Sequence, residues 1–202
     1  MEININSYYA ARREVYDRIQ NANTAKKVVL ALFMAALTGI GAQIIIPLSW
    51  TPVPITLQTF AVILSGLVLG KKYGLLSQIF YLALGITLIP WFSGFGGGLD
   101  AVLGSNMGYF IGFLLVAYFV GYISEKYSAS RKFSSMIGIV SVATFGLIYI
   151  PGLIGLALTF YFTKGVVLGV GDLVVMGLAP FIIGDILKIL GAGFFSKVFL
   201  PK

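Results

Sequence analysis

The sequence predicts an all-α integral membrane protein, a compact bundle of six transmembrane helices with both termini in the cytoplasm. Three observations carry this. Only 10% of the 202 residues are charged while 58% are hydrophobic, whereas soluble domains are about a quarter charged. Crossing a bilayer takes about 20 apolar residues, and apolar runs of that order recur along the chain. The bases between them cluster in every second connection.

Residues 1–27 carry Arg12, Arg13, Arg18, Lys26 and Lys27 among acids and polar groups. With no small-residue cleavage site after a short apolar core, no secretory signal is expected. This cytoplasmic segment reads either as a solvated tail or as an interfacial helix on the inner membrane surface. Residues 28–202 form the membrane domain. No formal charge occurs from Val28 to Gly70, and Pro47, Pro52 and Pro54 divide that run. Proline lacks a donor and interrupts helices, so the first span is placed at 28–46 and the second at 55–70. The third covers 73–89 and stops at Pro90. The fourth, 102–123, follows "WFSGFGGGLD". The fifth, 134–162, contains a Pro151-Gly152 pair that predicts a kink, and the sixth covers 180–200.

Five bases precede the first span. Lys71 and Lys72 follow the second, Lys126, Arg131 and Lys132 follow the fourth, and Lys197 and Lys202 end the chain. The alternate connections hold Lys164 alone. Basic loops stay in the cytoplasm, which fixes both termini there. The same placement accounts for the net charge of +7 without a nucleic-acid partner.

Cysteine and histidine are absent, which removes thiol nucleophiles, histidine-based catalysis and most transition-metal sites. No G-x-x-x-x-G-K-[ST] occurs, and the G-x-G at Gly94 meets Leu99 where a dinucleotide fingerprint needs glycine. The chain is therefore not expected to hydrolyse ATP, to be an enzyme, or to carry a metal or cofactor.

Small residues recur every fourth position at Ala31, Ala35 and Gly39, and at Gly104, Gly108 and Gly112. Such stripes let helices approach closely. The second stripe reads as internal packing. The first reads equally as internal packing or as a face for another membrane protein. The outward connections "PLSWTPVPIT", "WFSGFGGGLDAVLGSN" and "TKGVVLGVGDLVVMGLAP" are too apolar to stand in water and are expected to fold over the outer mouth. Gly97 and Gly98 offer backbone N–H groups to a carboxylate or carbonyl, or simply flexibility.

"PFIIGDILKIL" places Asp185 and Lys188 within the sixth span. Three residues apart, they share a helix face. Charges in a bilayer are costly and turn inward. They form either an internal ion pair or a polar clamp at the floor of an outward cavity. Thr56, Gln58, Asn106 and Tyr109 are polar candidates near the same level.

"VPITLQTFAVILSGLVLG" (53–70), "GGGLDAVLGSNMGYFIGF" (96–113) and "PFIIGDILKIL" (180–190) resemble the signature stretches of BioY, the biotin-specific substrate-binding subunit of energy-coupling-factor (ECF) transporters. The resemblance covers roughly 28–200. The G-D-x-x-K element at Gly184, Asp185 and Lys188 and the T-L-Q element at Thr56 to Gln58 are the specific parts. Ser105-Asn106-Met107 departs from the family's small or Gly/Pro-rich turn. The resemblance implies a six-helix cell-membrane domain with biotin bound near the outer surface and contacted by Asp185 and Lys188. It also implies that the stripe of Ala31, Ala35 and Gly39 meets a transmembrane coupling subunit, with separate subunits hydrolysing ATP. The other readings are a subunit for another small vitamin, a membrane-embedded enzyme, and a structural membrane protein without a ligand.

Overall fold

A computed structural model describes residues 5–201. Residues 1–4 of the expected tail, and Lys202 among the expected cytoplasmic bases, lie outside them. Among the described residues are nine α-helices and a two-stranded sheet. Five stretches are long and apolar enough to cross a membrane: Thr24–Gln43, Gln58–Thr87, Met107–Lys126, Phe133–Lys164 and Val170–Phe199.

The first helix, α1 (Ile5–Gln20), is docked rather than free. Arg12 donates to the carbonyl of Leu200, and Gln20 Nε2 donates to Val68 O at 3.0 Å. Helix α2 (Thr24–Gln43) starts ahead of the expected 28 because the Asn23 side chain caps it, accepting from the Lys26 N–H. Its small-residue stripe is turned inward. Ala31, Ala35 and Gly39 are all buried. Ala31 packs with Met34 and Leu69, and a Cβ on Gly39 would come within 3.0 Å of Trp91. The stripe expected to dock a partner, Ala31, Ala35 and Gly39, thus packs against the chain's own helices in this structure. The outward face of α2 carries Val29, Leu32, Phe33 and Ile40.

Helix α3 (Gln58–Thr87) holds the second and third expected spans in one element, because Gly70 joins them without a loop. Its φ of 74° suits glycine alone among common residues. Residues 71–87 fold back on 58–69: a Cβ on Gly74 would lie 2.8 Å from Gly66 Cα. Gln78 Nε2 ties this pair to α2, donating to Ser65 Oγ at 3.2 Å and Thr38 Oγ1 at 3.3 Å. In lipid, where apolar contact alone gives little drive, close approach and such bonds hold helices together.

Before α3, β1 (Ile45–Ile46) pairs antiparallel with β2 (Ile55–Thr56), Ile45 facing Thr56. This short ladder satisfies backbone that the expected first and second spans had assigned to helix. The expected fourth span divides into α4 (Gly98–Leu103) and α5 (Met107–Lys126), broken at Gly104–Asn106. Helix α5 is central and packs against α3 and, through Gly108 and Gly112, against the fifth span. That span is α6 (Phe133–Val142), a π-helical stretch (Ala143–Ile148) and α7 (Tyr149–Lys164). The irregularity precedes Pro151, whose missing N–H leaves a carbonyl in the preceding turn without a donor. The last connection, expected to face outward as a loop, contains α8 (Val170–Gly177). A 3₁₀ turn at Ala179–Phe181 then leads into α9 (Ile182–Phe199).

Candidate ligand cavity

Asp185 lies on the first turn of α9 and is 2% exposed. Lys188 Nζ lies one turn on, 2.8 Å from Asp185 Oδ1. The other carboxylate oxygen, Oδ2, accepts from the Tyr149 hydroxyl. Tyr149 is the first residue of α7 and stacks on Phe145, with centroids 5.8 Å apart and planes 18° from parallel. Tyr109 meets the Tyr149 ring edge-on at 6.3 Å and donates its hydroxyl to Gly177 O at 2.7 Å. Together these residues form a charged wall built on α5, α7 and α9.

A second, neutral wall is built on α3. The Thr56 hydroxyl donates to Gln58 Oε1 at 2.8 Å, and Gln58 Nε2 donates to the Tyr81 hydroxyl at 2.6 Å. Tyr81 is fixed in turn by edge contacts with Phe92 at 5.3 Å and Phe110 at 6.2 Å. Each buried amide and phenol atom here has a partner, as a water-poor setting requires. Between the walls lies a cavity that residues of both line.

The loop from Trp91 to Gly96 runs at the mouth. Phe92 and Gly96 exchange backbone hydrogen bonds of 2.9 and 3.2 Å across it. Gln43, at the end of α2, pins the loop from below. Its Nε2 donates to Trp91 O at 3.0 Å and Phe92 O at 3.1 Å, and its Oε1 accepts from the Phe95 N–H at 3.0 Å. Phe95 has a φ of 58°, a conformation that costs a non-glycine residue about 1–2 kcal/mol. The Gln43 clamp and the Phe92–Gly96 bridge hold it there.

The cavity brings together Asp185, Lys188, Gln58, Thr56, Tyr109 and Asn106, six of the eight residues singled out for binding. Gly97 and Gly98 lie elsewhere. They line a separate groove with Pro90 at the end of α3, and a Cβ on Gly97 would lie 3.1 Å from Pro90 Cα. The loop turns its glycines away and brings Ser93 to the cavity instead. Sequence reasoning missed Tyr149, the second partner of Asp185. The available signal was a phenol in an otherwise apolar span, since a buried tyrosine hydroxyl seeks an acceptor. It also missed Phe110, Phe113 and Phe181, which look like any other apolar residue of a span.

The paired charges cancel, so the site suits a ligand that brings both donors and acceptors. An ionised carboxylate accepts and an ammonium donates. Among the described residues no group of three histidine, cysteine or acidic side chains is arranged to hold a metal.

The sequence profile of the BioY family matches residues 14–201. The chain is 45% identical to the probable biotin transporter BioY of Methanothermobacter thermautotrophicus over 139 residues, covering 69% of this chain and 88% of that protein. It is 36% identical to the biotin transporter BioY of Thermotoga maritima over 167 residues, covering 83% and 91%. Its fold matches the crystal structure, at 2.1 Å, of the S-component for biotin from an ECF-type ABC transporter, with a TM-score of 0.73 and 26% identity over 88% of this chain and 92% of that one. A profile match across nearly the whole chain, joined by extensive identity to these relatives, has one meaning: the chain belongs to the BioY family.

Proposed function

We propose that this chain is the biotin-binding membrane subunit of an ECF-type transporter and takes up biotin together with a transmembrane coupling subunit and ATP-hydrolysing subunits. It is a multi-pass protein of the cell membrane and a binding subunit, not an enzyme. The observation that carries the reading is the buried Asp185–Lys188 pair facing a cavity in a chain whose relatives are named biotin transporters. The ureido ring of biotin has two N–H donors and a carbonyl acceptor, the complement of a carboxylate beside an ammonium. Tyr149 holds the carboxylate in place.

The finer topology belongs to the same proposal. Counting the two halves of α3 separately gives six spans, with both termini in the cytoplasm. The basic connections and the turn at Gly70 beside Lys71 support it. Residues 1–27 are then a cytoplasmic interfacial segment and 28–202 the substrate-binding domain.

Binding of labelled biotin to the purified chain tests this. Saturable binding displaced by unlabelled biotin, and not by thiamine or riboflavin, is expected. Displacement by another vitamin with no biotin binding would assign the cavity to that vitamin.

A further inference from the structure

Two hydroxyls at the cavity take no part in the hydrogen bonds of either wall. Thr59 Oγ1 and Ser93 Oγ are buried, and neither has a hydrogen-bond partner, although both residues line the cavity. Among the described residues the other buried hydroxyls without partners, Ser124 and Thr144, do not line this cavity.

Thr59 is free for a local reason. Threonines within helices usually bond back to the carbonyl four residues earlier, and here Thr38, Thr87, Thr159 and Thr163 all do. Thr59 stands in the first turn of α3, where the residue four earlier is Ile55, already part of β2. Ser93 comes from a different element, the loop that Gln43 pins across the mouth. A buried hydroxyl without a partner is unfavourable in the empty protein, and a ligand acceptor relieves it.

We propose that Thr59 and Ser93 are specificity-determining residues that receive the second polar end of the ligand, its carboxylate. This rests on reading the cavity as a biotin site. With the ureido ring on Asp185 and Lys188, the acid end of biotin needs donors elsewhere. Two hydroxyls offered from two elements give each carboxylate oxygen one donor.

The test uses Thr59→Val, which keeps the shape and removes the hydroxyl, and Ser93→Ala. Affinity is measured for biotin and for an analogue with a methyl group in place of the carboxylate, alongside the melting temperature of the ligand-free protein. Each variant should bind biotin about tenfold more weakly, bind the analogue as the parent does, and melt at or above the parent's temperature. Unchanged biotin affinity in both variants overturns the assignment while leaving the biotin reading intact. Equal weakening for both ligands with a lower melting temperature also overturns it, because a structural role produces that pattern. A parent protein that binds no biotin sinks both.

Discussion

Arg131 is a buried base and Lys188 a largely buried one, and their surroundings differ. Arg131 is enclosed by neutral acceptors: Nε donates to Ser124 O at 2.9 Å, Nη1 to Pro201 O at 2.9 Å, and Nη2 to the Tyr16 hydroxyl at 2.8 Å. Its own carbonyl accepts from Ser196 Oγ at 2.9 Å. One residue thus ties α1, the end of α5 and the end of α9 together. Lys188 has one hydrogen-bonded partner, Asp185, and both face a cavity. Burial is costly for either base. The planar fork of arginine meets that cost with several fixed bonds. The lysine pair leaves donor and acceptor capacity for something that arrives from outside. A buried base held by several fixed bonds braces the fold, and one that faces a cavity keeps capacity for a ligand.

Two substitutions separate these roles. Arg131→Met strands several acceptors at once and should lower stability by about 3 kcal/mol. The fraction that stays folded should bind biotin with the parent affinity. A thermal-shift series read beside binding isotherms checks this, and a loss of affinity at unchanged stability would erase the distinction. A smaller effect is expected from Gln43→Leu, which frees the loop over the mouth without touching the charged wall. Release of a strained loop worth about 1 kcal/mol predicts roughly fivefold weaker binding, seen as faster biotin release. An unchanged release rate would show that the clamp does not hold the loop over the ligand.

The sequence made part of this legible. Asp185 and Lys188 could be paired because a spacing of three on one helix fixes their shared face. The spans were readable because lipid leaves long charge-free runs. The turn at Gly70 was not, since a reversal without loop residues has no composition of its own. The two-residue strands around Pro47–Pro54 are too short to show a period. The inward rotation of Ala31 and Ala35 was equally hidden: a small-residue stripe states that something packs there, and whether it is α3 or another protein depends on tertiary contacts. Gly97 and Gly98 announced backbone freedom and gave no direction for it. Tyr149 reaches Asp185 across 36 residues, and Arg131 reaches Tyr16 across 115, separations at which local pattern carries no signal.

The central claim is that the Asp185–Lys188 pair serves the ligand and not the bundle. It is tested by measuring biotin affinity and ligand-free melting temperature for Asp185→Asn, Lys188→Met and the double variant. A hydrogen bond to a charged group contributes about 1.5–3 kcal/mol, so each single variant should bind about ten- to a hundredfold more weakly. The double variant should stay weak, with a melting temperature close to the parent's. Parent affinity in the double variant, with stability lost in each single change and regained when they are combined, would contradict the claim and make the pair a brace of the helix bundle.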